Sequence, residues 1–267
     1  MRLAWAFFKR DAIMALSYRA TFAAQLAGNL VLLCLFYYIG RTVGPQSIPA
    51  LEKYGGSFLA FFLVGIALTD CVGVSLTAFS KQIREGQLTG SLEATLMSPV
   101  PLPVILLMSS LWPYFLSAFR FVMYLSLGML LYRVDLAHAN LLSALVLFVL
   151  TVLCFAGLGI LWASVVMVVQ QVEPIITVGA LIVLLLSGVV FPSSVLPVWL
   201  QHVAALIPLT HALDGMRHAL LQGYNLGQLA GVAWTLIGFA VVFLAAGLGS
   251  FGLAVGYAKR AGTLTRF

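Results

Sequence analysis

Two charged residues stand in apolar surroundings: Asp70, near the middle of one hydrophobic run, and Arg120, well inside the next. A charge at the centre of a bilayer costs at least about 2.5–3.5 kcal/mol on insertion scales, so both must face protein, water or each other. With a rise of about 1.5 Å per residue, they sit at similar depths if the second helix enters the membrane near Ser109. An ion pair between adjacent helices is the leading reading. Contact with a transported molecule, a proton relay on Asp70 and snorkelling by Arg120 stay open. Further on, His211, Asp214 and His218 recur at i, i+3 and i+7, so one helix could present all three together. Zinc accepts such ligands, but the wet polar face of an interfacial helix explains them more simply, and no metal site is expected. Hydrolytic chemistry lacks its signature, since no G-x-S-x-G elbow positions a serine. Nucleotide chemistry lacks one too: there is no Gly-Lys dipeptide, hence no phosphate-cradling Walker A loop. Cys34, Cys71 and Cys154 all lie in apolar runs and form no CxxC, so neither a disulfide framework nor a metal site is expected.

The elements that hold these residues have to be membrane helices. Of 267 residues, 62% are hydrophobic and 8% charged, with a mean hydropathy of +1.08. Soluble domains carry about 25% charged residues, so no water-facing surface can be built from this chain. Six apolar runs stand out, at 20–40, 57–80, 104–131, 140–168, 174–190 and 229–257. A span needs about 20 apolar residues. The expected fold is therefore all-α: one polytopic membrane domain over residues 1–267 with six transmembrane helices and no room for a soluble enzymatic domain. The fifth run is short and ends at Phe191-Pro192. The stretch after it, 191–228, is broken by Pro192, Pro197 and Pro208, too polar to span and too apolar for an ordinary loop. One or two short helices dipping into the outer interface are expected there, packed against protein or water because irregular backbone survives near membrane depth only so.

Orientation follows from lysine and arginine. With both termini inside, nine basic residues (Arg2, Lys9, Arg10, Arg19, Lys81, Arg84, Lys259, Arg260, Arg266) face the cytoplasm and four (Arg41, Lys53, Arg133, Arg217) face outward. That bias sets termini in. The formal charge of +6 thus marks a cytoplasmic face, not a nucleic-acid partner. Charges interrupt the N-terminal 19 residues, so no cleaved signal peptide is expected. Instead Ala4, Trp5, Phe8, Ala12 and Ala15 share one face of an interfacial helix. The one long cytoplasmic connection, 81–103, reads KQIREGQLTGSLEATLMSPVPLP, with a short helix-competent stretch from Ser91 to Met97.

The run R-E-G-Q-L-T-G-S-L-E-A-T-L-M-S-P, Arg84 to Pro99, resembles the cytoplasmic loop of ABC-2-type permeases, the membrane subunits of ATP-binding cassette exporters. Ser91 stands where that family usually has Thr. A second likeness is S-G-V-V-F-P-S-S-V-L-P-V-W-L-Q, Ser187 to Gln201, followed by I-P-L-T-H-A-L-D-G-M-R, Ile207 to Arg217, with Ile207 where Asn is common. The resemblance implies a homo- or heterodimer of permease subunits in a bacterial or archaeal cytoplasmic membrane, surrounded by lipid. It implies two separate nucleotide-binding ATPase subunits, with ATP and Mg on those partners and no cofactor on this chain. Glu85, Gly86, Leu88, Ser91, Leu92, Glu93, Leu96, Ser98 and Pro99 would then form the element that takes up the ATPase movement.

Two rival classes remain, a proton-driven carrier centred on Asp70 and a scaffold without transport. An inverted repeat would favour the carrier, and none is evident. Ala245, Gly249, Gly252 and Gly256 line one face of the sixth run, spaced for close helix packing. Packing within the chain is expected ahead of a seam between two copies.

Overall fold

The computed structural model describes residues 2–17, 53–54, 58–88, 102–132, 138–168 and 173–261, with single positions in 24–38 and 134–136. Every regular element among them is helical. Helix α1 runs Arg2–Ser17, α2 Phe58–Leu88, α3 Leu102–Tyr132, α4 Leu141–Val168, α5 Glu173–Leu186, α6 Val198–Ala205, α7 Pro208–Leu221 and α8 Ala230–Ala261. A 3-10 turn at Ser193–Val195 lies between α5 and α6. Four of these helices, α2, α3, α4 and α8, are long and apolar enough to cross a membrane. The first expected span, 20–40, falls largely outside the described residues. The fifth is met by α5, whose 14 residues rise only about 21 Å, short of a hydrocarbon core of about 30 Å.

Hydrophobic periodicity explains the packing less than burial does, because these helices are apolar all round. Helix α4 is the hub, running along both α2 and α8. Two glycines let α4 and α8 close on each other. A Cβ on Gly157 would stand 2.6 Å from the backbone of Phe243 and Leu244, and one on Gly247 would stand 2.5 Å from Gly157 O. These are not the residues the small-residue spacing singled out. Ala245, Gly249, Gly252 and Gly256 are exposed, and a Cβ on any of the three glycines meets nothing within 4 Å. The intrachain seam on α8 therefore lies on the opposite side of the helix from the expected face. Spacing identifies a smooth face, but the neighbour that fills it is set by which face α4 can reach.

Local chemistry fixes the connections around α4–α8. Asn140 caps α4 by accepting the Ser143 N–H at 3.1 Å. Asn225 and Gln228 cap each other's backbone reciprocally before α8, at 2.9 and 3.0 Å. Gly188, at φ +81°, turns the chain sharply after α5 in a conformation that side chains rarely adopt. The broken segment expected at 191–228 resolves into the 3-10 turn, α6 and α7. Pro192, Pro197 and Pro208 each precede or open one of these short pieces, where a missing N–H costs nothing. Phe191 lies in the bend that leads into them. At the other end, Lys81–Leu88 is not part of a loop: it is the last two turns of α2. Its polar residues are compatible with helix, and composition alone could not separate a helical extension from a connector.

Candidate functional site

The two spans that carry the intramembrane charges pack side by side, and Asp70 of α2 meets Arg120 of α3. Arg120 Nε donates to Asp70 Oδ2 at 2.8 Å, with the side chains 10% and 24% exposed. The contact is one-pronged. Arg120 Nη1 and Nη2 and Asp70 Oδ1 have no hydrogen-bond partner among the described residues, where a two-pronged fork would have used one of each.

Three turns further along α2 the same two helices are joined by a bond that the sequence hides. Pro113 lies inside α3 and has no N–H, so the carbonyl of Ser109, four residues back, loses its helical donor. Gln82 of α2 supplies one, with Nε2 3.2 Å from Ser109 O. The bond ties α2 to α3 one turn before Glu85, which is exposed on the last turns of α2. Gly86 and Leu88 belong to the same helix end. Ser91, Leu92, Glu93, Leu96, Ser98 and Pro99 lie outside the described residues. Helix α1 docks on α3 in this region through Phe8, edge-on to Trp112 at 5.3 Å and to Phe115 at 5.4 Å.

The opposite end of α2 meets a denser cluster, built on α7. Arg217 is 2% exposed. Its Nε donates to Phe61 O and its Nη2 to Val189 O, both at 3.2 Å, and the guanidinium lies 3.3 Å from the Phe61 ring centroid. One side chain thus pins α2, α7 and the bend after α5. Gly65 makes the approach possible, since a Cβ there would stand 2.7 Å from Val189 O. Burial pushes the Arg217 pKa down to about 9, while Tyr54 and Asp214 push back, so the group stays cationic at neutral pH. Asp214, outside the four candidate spans, accepts from Tyr54 Oη at 2.6 Å and from Lys53 Nζ at 3.0 Å. Burial and then the hydrogen bond to Asp214 raise the Tyr54 pKa, so the phenol remains the donor. Gln222 gives its Nε2 proton to Lys53 O at 2.6 Å, which leaves its Oε1 to accept from His218 Nδ1. His218 Nε2 then faces Asp214 Oδ1 at 3.7 Å.

Of the three residues spaced for one helical face, two therefore meet and the third does not. His211 turns away, its Nε2 2.8 Å from Ala205 O and its ring beside Phe239. No group of three metal-ligating side chains converges among the described residues.

These elements, α1 through the last residue of α7, coincide with the stretch 2–221 that matches the ABC-2 type transporter family. The chain belongs to that family. Two curated proteins are similar to it over 176 residues at 26% identity, probable multidrug ABC transporter permeases YbhR of Escherichia coli strain K12 and of Escherichia coli O157:H7. The match covers 64% of this chain and 46% of each relative, so the chain spans about half the length of the curated relatives it matches. Within the ABC-2 chain, Arg217, Tyr54, Lys53 and Gln82 are the site residues that sequence reasoning missed. Arg217 was counted with the outward-facing charges. The available signal was its place beside Leu213, Met216 and Leu220, all buried on the same helix. For Gln82 the signal was Pro113, whose freed carbonyl demands a donor.

Proposed function

We propose that this chain is the membrane-spanning permease subunit of an ATP-driven exporter. It moves an amphipathic, lipid or lipid-linked substrate, drug-type molecules included, out of the cytoplasm or the inner leaflet. The observation that carries the reading is the ABC-2 family match across α1–α7, on an all-helical membrane domain with no phosphate-binding loop in its sequence. ATP and Mg belong to a separate nucleotide-binding subunit, and two permease chains form the membrane dimer. The topology is six spans with both termini cytoplasmic, and 191–228 dips back into the outer interface. The cytoplasmic end of α2 and the connection after it, from Glu85 to Pro99, receive the ATPase movement. The Gln82–Ser109 bond gives that movement a route into α3, because a shift of the α2 end must either carry α3 along or break the bond.

Reconstituted vesicles test this. The purified permease alone should move no amphiphile under a proton gradient, and transport should appear when its ATPase and ATP are added. Substrate movement driven by the proton gradient without any ATPase would overturn the reading in favour of a carrier.

A further inference from the structure

A polar and small-residue stripe runs down α2 beside the Asp70–Arg120 pair. At 100° per residue, Thr69, Asp70, Gly73 and Thr77 fall within about 100° of arc. Thr69 and Thr77 turn their hydroxyls back to their own helix, to Gly65 O at 2.8 Å and Gly73 O at 2.9 Å. Gly73 is exposed, and a Cβ on it would meet nothing within 4 Å. It adjoins Asp70 at i+3 and Thr69 at i+4, so it forms an open saddle between them. On the Thr69 side of the saddle lies a cavity of about 220 Å³. Thr69, Gly73 and Leu76 of α2, Phe155 and Trp162 of α4, and Val183 of α5 are among its walls. On the Asp70 side lie Arg120 Nη1 and Nη2 and Asp70 Oδ1, which have no hydrogen-bond partner among the described residues.

We propose that this face binds a zwitterionic amphiphile, its headgroup across Asp70 and Arg120 and its apolar chain in the cavity. The phosphate or carboxylate of the ligand takes the Nη edge of Arg120, and its ammonium takes Asp70 Oδ1. Charge selects the class. The ion pair sums to zero, so a singly charged head leaves a net charge in apolar surroundings, a penalty of about a hundredfold in affinity by insertion scales. A zwitterion leaves none. The proposal deepens the exporter reading by naming its substrate class, and rests on that reading for the ligand's fate but not for binding.

The test is calorimetric titration of the full chain in uncharged detergent with three single-chain amphiphiles of equal chain length, bearing phosphocholine, sulfate or trimethylammonium heads. The phosphocholine probe should bind at least about tenfold tighter than either other one. In the Asp70→Asn, Arg120→Gln double variant the three should come together to within about threefold, because no charge pair remains to discriminate. Gly73→Leu, which fills the saddle without touching the ion pair, should weaken all three about tenfold and leave the melting temperature unchanged. Equal binding of the three heads by the unaltered chain, a preference for a singly charged one, or a preference that survives the double change overturns the proposal. So does unaltered binding in Gly73→Leu. Competition by phosphatidylcholine in nanodiscs identifies bilayer lipid as the natural source, and its absence identifies a free amphiphile. If ATP-driven transport fails while the head preference stands, the exporter reading falls and the site does not. Transport without the preference gives the reverse.

Discussion

Arg217 and Arg120 are both buried arginines in an apolar protein, at 2% and 8% exposure, yet they are held in opposite ways. Arg217 sits in a cage of two carbonyls and an aromatic face, contributed by α2 and the bend after α5. Its bonds point to backbone carbonyls, not to side chains that could swing to another partner. Among the described residues Arg120 makes one bond, to one side chain on one neighbouring helix. The first arrangement fixes a structure. The second keeps a charge neutral in the membrane while leaving it able to take another partner. The cluster on α7 is the clamp of the molecule, and the intramembrane pair is the more loosely held of the two.

The comparison breaks first at Arg217. Arg217→Met removes two hydrogen bonds and a cation–π contact and leaves the Val189 carbonyl, which lies outside any helix, without its Arg217 donor, a loss of about 3 kcal/mol. For a chain of this size that is a fall of roughly 6–12 °C in melting temperature. Thermal unfolding in detergent, followed by circular dichroism, measures it. A fall of less than about 2 °C would show that the cage is decorative. No second substitution should restore stability, because the partners are backbone and rings, not an acid that can be neutralised.

The intramembrane pair should behave otherwise. Asp70→Asn or Arg120→Gln alone leaves one membrane charge unpaired, at a cost of up to about 2.5–3.5 kcal/mol on insertion scales. The double variant removes both charges and should recover most of the folding yield. Monodisperse protein recovered after detergent extraction is the measure. If the double variant is no better than the worse single one, the two charges do not depend on each other. Rescue at Asp70–Arg120 and none at Arg217 is the pattern that separates an exchangeable pair from a fixed cage.

How far the sequence carries depends on what each residue answers to. The long helices were legible because apolar runs near 20 residues have little alternative in lipid. The meeting of Asp70 and Arg120 could be set up from depth alone, since two opposite charges in adjacent spans have few other places to go. Arg217 could not be placed so. Its partners are main-chain carbonyls at Phe61 and Val189, and every residue has a carbonyl, so nothing in the side-chain pattern marks those two. The packing face of α8 misled for a related reason. Small residues at 245, 249, 252 and 256 form the smoother face, but Gly247 is the one that meets Gly157, and the partner on α4 decides. The end of α2 was read as loop because Lys81–Leu88 is polar, although polar residues with good helix propensity extend a helix past the membrane surface readily.

The smallest effect sharpens the comparison from within the cluster on α7, at Asp214. Burial alone would raise its pKa, but the hydrogen bonds from Tyr54 and Lys53 and the nearby charges of Lys53 and His218 outweigh it and hold the value below the ordinary 3.8. A carboxylate depressed in the folded state contributes stability that is complete above its unfolded value and lost as pH falls through the folded one. The contribution is therefore full at neutral pH and fades below about pH 4. It is modest, because Lys53 is 60% and Asp214 33% exposed, and such pairs are worth about 0–1 kcal/mol in screened surroundings. The hydrogen bond from buried Tyr54 adds about 1 kcal/mol. Melting temperature measured from neutral pH down to about pH 3 should fall less steeply in Asp214→Asn than in the unaltered chain, with Tyr54→Phe between them. Arg217 stays charged throughout that range and should add no slope, so Arg217→Met should lower the whole curve without changing its shape. Identical slopes in Asp214→Asn and the unaltered chain would assign the acid sensitivity to other carboxylates and leave Arg217 alone as the clamp.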